Sequence, residues 1–166
     1  MRVDESAKAT LLNDIAVGAI KFSILKIAPG KDIVFDFEKS ISFLGDSGPY
    51  LQYTHARLSA LLDKAKESEI SFQHGYVVEF PEKELEKTLL GYKEVMDKAY
   101  KDLGPHHIIQ YLLLLTRVFN NMYARVQIVE KEDKDTSAYY VMLATATKDI
   151  LAHGLSTLGI KAPTRM

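Results

Sequence analysis

The sequence contains no cysteine. A disulfide framework, a thiolate nucleophile and a cysteine-ligated zinc site are therefore excluded within it, and a reducing compartment, with the cytoplasm as the default, is compatible with that. Long hydrophobic runs are also missing, because the longest apolar stretches, such as Tyr111 to Leu115, are far too short to span a membrane. Residues 1–5 lack the apolar core of a signal peptide. We therefore expect a cytoplasmic protein with no membrane partner.

An excess of basic residues is missing too. The chain has 21 Lys and Arg residues against 22 Asp and Glu residues, which gives a net charge of −1. Proteins that bind nucleic acid through general electrostatic attraction carry a basic surface. Any contact with nucleic acid must therefore be local. Basic residues that lie near aromatic segments are Arg57, Lys64, Arg117, Arg125, Lys161 and Arg165.

The familiar catalytic motifs are absent as well. The sequence has no Gly-rich phosphate loop, no serine nucleophile elbow and no His-Glu-x-x-His pair. His106 and His107 are adjacent, and neighbouring helical positions are expected to point in different directions, so a shared metal ion is not expected. We predict no catalytic residue, no bound cofactor and no metal site in this chain.

The size and the hydrophobic pattern favour an all-α protein. A chain of 166 residues that is 47% hydrophobic can bury one substantial core. Apolar residues recur at helical spacing in 5–27, 48–66, 81–103, 105–126 and 136–158, and Gly91 is expected to divide the third stretch into two helices. Residues 31–45 are an extended connector with a short β-rich piece at 33–37, and 68–80 is predicted to be a loop. The chain thus reads as an antiparallel helix bundle preceded by a helix and an extended connector.

Particular residue types mark the ends of these helices. Ser47 can act as the N-cap of the second helix, where Pro49 occupies the first turn. Thr136 or Ser137 is expected to cap the last helix. Gly159 is expected to end that helix in the left-handed conformation.

The most informative stretch runs from Gly48 to Arg57 and reads GPYLQYTHAR. At about 100° of rotation per helical residue, four side chains lie within roughly 60° of Tyr50, namely Tyr53, Thr54, Arg57 and Lys64. A separate, leucine-rich face contains Leu51, His55, Leu58 and Leu62. The second face is expected to be buried, with His55 as a satisfied histidine, while the first stays available. Tyrosine rings beside an arginine offer nucleic acid bases a stacking surface and a hydrogen-bond donor.

A second stretch, 119–126, also sets polar groups beside a predicted core face. The amides of Asn120 and Asn121 can donate and accept hydrogen bonds along a base edge. Tyr123 and Arg125 are expected to repeat the pairing of a ring with a cation.

Both stretches also admit a purely structural explanation. Two tyrosines at i, i+3 spacing can be core residues, and each asparagine can cap or bridge neighbouring helices. From the residues alone, RNA binding and packing remain about equally open.

Three blocks of the sequence resemble the arginyl-tRNA synthetase family, and they occur in the same order. The first, Gly48 to Arg57, is similar to the family's Thr-Gly-Pro-Tyr-Leu-Gln-Tyr-Ala-His-Ala-Arg, with Ser47 and Thr54 as departures. The second, 105–123, resembles the family's helix with its Pro-His, Tyr-Leu, Phe-Asn and Tyr positions. The third, LGIKAPTRM at 158–166, resembles the family's Leu-Gly-Ile…Pro-Glu-Arg-Met, with Thr164 in place of the acidic residue.

The resemblance implies an α-helical anticodon-binding domain, called DALR, in which aromatic side chains and a C-terminal methionine surround the anticodon loop of tRNA. By position, these groups would be Tyr50, Tyr53, Arg57, Tyr123 and Met166, with Asn120 and Arg125 as weaker candidates.

The resemblance also implies a ligase whose catalytic domain is not in this sequence. Class I synthetases carry His-Ile-Gly-His-type and Lys-Met-Ser-Lys-Ser-type motifs for ATP, and neither occurs here. We therefore expect the C-terminal, anticodon-binding part of an arginine-tRNA ligase, inactive alone, whose ATP site and catalytic domain lie elsewhere in the parent. In that family the reaction yields arginyl-tRNA, AMP and pyrophosphate. Residues 1–45 would be a helix and connector from the end of the catalytic domain, and 46–166 the DALR domain.

Two other functions stay open on the sequence. One is a freestanding RNA-binding helical module without a ligase. The other is a helical protein-interaction domain whose tyrosines pack against a partner and which does not bind RNA.

Overall fold

The computed structural model describes residues 5–70, 82–130 and 132–166, and within these ranges the chain is all-α. The described ranges contain seven helices and no strand: α1 (Glu5–Leu25), α2 (Phe37–Ser40), α3 (Gly48–Glu67), α4 (Lys83–Leu90), α5 (Tyr92–Lys101), α6 (His106–Tyr123) and α7 (Lys134–Thr157). The predicted helix bundle is confirmed, including the division at Gly91. Most of the predicted loop at 68–80 and the predicted helix start at residue 81 lie outside the described residues.

Two predicted helix ends are confirmed in atomic detail. The Ser47 hydroxyl oxygen accepts a hydrogen bond from the Tyr50 amide at 3.1 Å, which caps α3, and Pro49 lies in the first turn. Past the end of α7, Gly159 has φ of 68°, and the amide of Ile160 donates back to the Leu155 carbonyl at 2.8 Å. This is the left-handed stop that a glycine provides at little steric cost.

The predicted start of the last helix is wrong by about one turn. Helix α7 begins at Lys134, because Asp133 rather than Thr136 or Ser137 is its N-cap. A carboxylate oxygen of Asp133 accepts from the Thr136 amide at 3.0 Å, and the negative charge complements the helix dipole. The Ser137 side chain is buried instead, where its hydroxyl donates to the Glu130 carbonyl and accepts from the Glu130 amide.

The β-rich piece predicted at 33–37 is not a strand. Residues 33–36 are irregular, and Phe37 begins the short helix α2. Asp36 caps α2, with its carboxylate accepting from the Lys39 amide at 3.1 Å. A local preference for extended backbone becomes a strand only when a second strand pairs with it, and the described ranges offer none.

The hydrophobic core lies where α3, α6 and α7 meet. Its fully buried side chains include Leu51, Leu58, Leu112, Leu115, Leu151 and Leu155. Helices α4 and α5 pack on α6, and α4 also contacts α7, while α1 packs on α3 and adds the fully buried Phe22. The leucine-rich face predicted for α3 and the core face predicted for α6 are therefore confirmed.

Helices α1 and α3 approach each other closely at two glycines. A β-carbon added to Gly48 would lie 2.5 Å from the carbonyl oxygen of Gly18 and 3.0 Å from Cβ of Phe22. No real side chain tolerates the first distance, so the two backbones touch because Gly48 has no β-carbon. A β-carbon added to Gly18 would instead lie 2.7 Å from Oε1 of Gln52, so Gly18 leaves room for that side chain.

Replacing Gly48 with alanine is expected to push α1 away from α3. Because the obstacle is backbone, Gly48→Ala should lower the free energy of unfolding by about 1 to 3 kcal/mol, the usual effect of overpacking. The measurement is denaturant unfolding followed by circular dichroism. The control is Gly91→Ala, where an added β-carbon would lie 3.4 Å from its nearest neighbour, the Thr88 carbonyl oxygen. The control should be neutral or stabilising by up to about 1 kcal/mol, and equal effects of the two changes would contradict the close approach.

Candidate nucleic-acid interface

A group of polar and aromatic side chains joins α3 to α6 at the protein surface. The Tyr50 hydroxyl oxygen accepts a hydrogen bond from Nδ2 of Asn120 at 2.9 Å. The Arg57 guanidinium lies over the ring of Tyr123, 4.3 Å from the ring centroid. These four residues, which we call the tyrosine-arginine cluster, come from two helices, and the sequence predicts each of them as a candidate contact to nucleic acid.

The Tyr123 ring is held on two sides. The Phe119 ring, one helical turn earlier on α6, stacks against it at a centroid distance of 6.0 Å and an interplanar angle of 24°. The exposed Arg57 approaches from α3. A cation over an aromatic face at such a site contributes about 0.5 to 1 kcal/mol. The cluster therefore presents a ring and a planar cation in a defined arrangement.

Tyr53 is the most exposed aromatic side chain on α3. It is 45% exposed, and its ring meets Phe43 of the connector edge-on, with centroids 6.3 Å apart. Tyr50, by contrast, is half-buried and packs partly against the core. Of the two tyrosines, Tyr53 thus offers the open ring, and Tyr50 offers its hydroxyl.

The sequence predicts that Thr54 lies on the available face of α3 beside Tyr50, and this prediction is wrong. Its side chain is buried, and its hydroxyl donates to the Tyr50 carbonyl at 2.9 Å. At about 100° per residue, Thr54 is rotated roughly 40° from Tyr50 toward the leucine face, whereas Arg57 is rotated roughly 20° the other way. The available face of α3 is therefore narrower than the sequence predicts, and it extends from Tyr50 only toward Arg57 and Tyr53.

Arg125 does not pair with the Tyr123 ring, which corrects the prediction of a second ring-cation pair there. Its guanidinium makes an ion pair with Glu82 at 3.0 Å, and its Nε donates to the Asn121 carbonyl at 3.1 Å. Arg125 follows the end of α6, so its side chain turns toward the start of α4, and Arg57 from α3 occupies the ring.

The segment that carries Met166 lies along α3. Nε2 of Gln52 donates to the Lys161 carbonyl at 2.9 Å, and Nδ1 of His55 donates to the Pro163 carbonyl at 2.8 Å. Met166 itself is 39% exposed. Among the residues described, no hydrogen bond, ion pair or ring contact joins Met166 to the tyrosine-arginine cluster.

His55 is confirmed as a buried and satisfied histidine. Burial lowers its pKa, an effect that outweighs the opposite influences of the hydrogen bond to Pro163 and of the nearby Asp149 carboxylate. Sequence reasoning missed Gln52, which is wholly buried beside it. The sequence signal that could have identified Gln52 is its position on the same side of α3 as Ser59, next to the leucine face, where a polar side chain is expected to be buried.

The sequence predicts that the two adjacent histidines at the start of α6 point in different directions, and this prediction is wrong. Their ring centroids lie 4.0 Å apart with an interplanar angle of 36°, and Nε2 of His107 bonds Asp102 at 2.9 Å. In the part of the chain that the structure covers, no group of three or more His, Asp or Glu residues could hold a metal ion. None of the described helices has both the length and the apolar character of a membrane span.

The sequence and the fold both have close counterparts. Residues 51–166 match the family model described as the DALR anticodon binding domain. The chain is 36% identical to the arginine-tRNA ligase of Thermococcus kodakarensis over 99% of its own length, and 36% identical to that of Flavobacterium psychrophilum over 98%. It spans only 27% of each of these relatives.

Solved structures show the same fold. The Thermus thermophilus arginyl-tRNA synthetase superimposes with a TM-score of 0.81 at 33% identity, over 92% of this chain and 26% of that one. The arginyl-tRNA synthetase of Plasmodium falciparum has a TM-score of 0.76 at 21% identity, over 95% of this chain and 28% of that one, which supports the fold alone. The antiparallel helical architecture is thus a shared one.

The stability of the protein is expected to fall as pH falls below about 6.5, the usual pKa of histidine. Because burial lowers the pKa of His55, the unfolded chain takes up its proton first as the solution becomes more acidic. The stability from the neutral imidazole is thus fully present above the unfolded pKa and is lost below it. His55→Asn, which keeps a donor for Pro163, should flatten this dependence in unfolding measurements between about pH 7.5 and 5. His153→Asn, at an exposed position, is the control; an unchanged slope in His55→Asn would contradict the assignment.

Proposed function

The chain belongs to the DALR anticodon-binding domain family, and from this premise we propose that it is the tRNA-binding part of an arginine-tRNA ligase. The parent enzyme would join arginine to tRNA at the expense of ATP and release AMP and pyrophosphate in the cytoplasm. The arginine and ATP sites would lie in the parent's catalytic domain, because neither of the two ATP motifs of class I synthetases occurs in this sequence. This chain would then be inactive by itself and would select and position the tRNA.

The single observation that carries this proposal is the tyrosine-arginine cluster. Two helices that are far apart in sequence bring a ring, a planar cation, a hydroxyl and an amide to one place on the surface. Unpaired bases of an RNA loop are recognised by stacking on aromatic rings or guanidinium planes and by hydrogen bonds along their edges. The cluster supplies both kinds of group, which suits an anticodon loop better than a duplex.

We assign roles to the cluster and to the neighbouring Tyr53 according to which of their atoms are still free to contact RNA. The guanidinium of Arg57 already covers the Tyr123 ring, so a base would stack on the outer face of the guanidinium. The open ring of Tyr53 would stack a second base. Asn120 uses one N–H on the Tyr50 hydroxyl, which leaves its carbonyl oxygen, its other N–H and the tyrosine O–H for a base edge.

Two of the proposed contact residues, Arg125 and Met166, lie outside the cluster and are expected to contribute less to binding. Arg125 is paired with Glu82, so it would contribute at the rim of the interface and only weakly. Met166 is partly exposed at the end of a segment that α3 holds, and it would supply an apolar contact to a base. Both remain proposals of lower weight than the cluster.

We further propose that residues 1–45 contact the catalytic domain of the parent. The ligase relatives match nearly the whole chain, whereas the DALR model begins at residue 51. Of the sixteen large hydrophobic side chains found exposed in the described ranges, ten lie between Leu12 and Leu44. An apolar surface that large on a segment outside the tRNA-binding module suits an intramolecular contact with the rest of a ligase.

Binding of tRNA provides the main test. The chain is titrated at low salt with an arginine-accepting transcript and with the same transcript altered only at the middle anticodon base. The unaltered transcript should bind more tightly, and Tyr53→Ala should weaken binding by about 5- to 150-fold, as expected for a lost stack of 1 to 3 kcal/mol. Tyr123→Ala should also weaken binding, because it removes the ring that supports the Arg57 guanidinium. Tyr100→Ala is the control, because Tyr100 is 82% exposed on α5, which is not part of the cluster.

The remaining outcomes of the titration are equally informative. Equal binding of both transcripts would leave a freestanding RNA-binding module without anticodon selectivity. No binding at all would assign the tyrosines to packing or to a protein partner.

Arg57 provides a test of stacking against charge. Arg57→Lys keeps the positive charge but loses the planar guanidinium, so it should weaken tRNA binding nearly as much as Arg57→Ala. The slope of log affinity against log salt should stay as in the original chain for Arg57→Lys, because that slope counts neutralised phosphates. Retention of full affinity by Arg57→Lys would show that charge alone matters at this position.

A further inference from the structure

Helix α3 has a second polar face, opposite the one that carries Tyr50, Tyr53 and Arg57. On that side Gln52 and His55 bond to carbonyl oxygens of residues 161–166, which we call the tail. We propose that Gln52 and His55 are positioning residues that hold the tail against α3 and thereby fix where Met166 lies. This inference rests on the proposed function in one respect, which is that Met166 contacts tRNA.

Gln52 is built into the protein as a link between three segments. Its side chain is fully buried, and Nε2 donates to the Asp14 carbonyl of α1 at 3.1 Å and to the Lys161 carbonyl of the tail at 2.9 Å. Both N–H groups of the amide are thus used. A buried donor left without a partner is costly, so each of these bonds fixes the position of the backbone that accepts it.

His55 holds the tail two residues further along. It is 3% exposed, and Nδ1 donates to the Pro163 carbonyl at 2.8 Å. Since proline has no N–H, the carbonyl is the only strong backbone group by which this residue can be held. Lys21 of α1 adds a third bond, to the Gly159 carbonyl.

Two carbonyls of the tail, those of Lys161 and Pro163, accept bonds from α3. The Gly159 carbonyl, just before the tail, accepts the bond from Lys21 of α1. Bonds at two points two residues apart fix the direction of the tail as well as its position. The side chains of Thr164 and Arg165 then line a cleft of about 800 Å³ between α3 and α7.

Because Met166 is only three residues from Pro163, the bond at Pro163 limits where Met166 can lie. Three residues of fully extended chain reach at most about 10 Å. The last fixed point therefore confines Met166 to a small region beside α3, the helix that also carries Tyr53 and Arg57. Loss of His55 would remove this last fixed point and let Met166 explore a larger volume, and loss of Gln52 would loosen the tail at its start, leaving His55 as its only link to α3 among these bonds.

The first experiment measures the order of the tail directly. Amide relaxation of residues 161–166 and the methyl signal of Met166 are recorded by NMR on the full chain. Gln52→Met, which has a similar shape but no donor, should lower the order of the tail, and His55→Leu should do the same. His55→Asn retains a donor and should restore order. Leu85→Ala, a core change on α4, is the control for loss of stability alone.

The second experiment asks whether these residues act on tRNA through Met166. Gln52→Met and Met166→Ala are compared singly and together in the titration with the arginine-accepting transcript. If Gln52 acts through the tail, the double variant binds no more weakly than Met166→Ala alone. The same comparison with His55→Leu keeps the test valid if Gln52→Met does not fold.

The outcomes separate this inference from the proposed function. Unchanged tail order in Gln52→Met and His55→Leu, or multiplied losses of affinity in the double variant, would overturn the positioning role. Absence of tRNA binding by the original chain would overturn the proposed function, and the tail order would still decide whether these residues hold the tail.

Discussion

The contact between α1 and α3 at Gly18 and Gly48 is the constraint on which the rest of the structure depends. Gly48 lets the two backbones touch because it has no β-carbon, and Gly18 leaves room for the Gln52 side chain, whose amide reaches the Asp14 carbonyl. The same amide then bonds the Lys161 carbonyl, so one buried side chain connects the first helix, the third helix and the tail. A larger residue at Gly48 would separate the helices, and one at Gly18 would displace the Gln52 amide. Either change would leave a buried donor without its acceptor.

Helix α3 serves two purposes because its period places neighbours in sequence on different sides. Tyr50, Tyr53 and Arg57 face α6 and the surface, while Gln52 and His55 face the tail, with the leucines between them in the core. A short sequence therefore carries both the proposed contacts to RNA and the bonds that hold the tail. The two faces are rigidly related, since both belong to one helix with a fixed rotation per residue.

The electrostatic character of the protein fits recognition by stacking better than recognition by charge. The net charge is −1, the Arg57 cation lies over a ring, and the Arg125 cation is paired with Glu82. Affinity for nucleic acid that came from counterion release would need many free cations on one face. A site made from a few planar groups can select unpaired bases without such a surface.

The sequence by itself determined the features that depend on neighbours along one helix. The Ser47 cap, the break at Gly91, the stop at Gly159 and the buried faces of α3 and α6 follow from bonds and contacts within a few residues, and all are present. Even at this range a choice between adjacent candidates was wrong, because Asp133 rather than Thr136 or Ser137 caps α7. An aspartate three residues before the amide it caps was as visible in the sequence as either alternative.

The tertiary structure alone decided which distant side chains meet. The Tyr50 hydroxyl and Asn120 are 70 positions apart in sequence, and Gln52 and Lys161 are 109 apart. Periodicity shows which face a residue occupies but not which helix packs against that face, or at what height. For that reason the sequence assigned Tyr123 to its neighbour Arg125, whereas the packing of α3 on α6 gave it Arg57. The role of Gln52 was hidden for the same reason, since its two acceptors become neighbours only after the helices and the tail have packed.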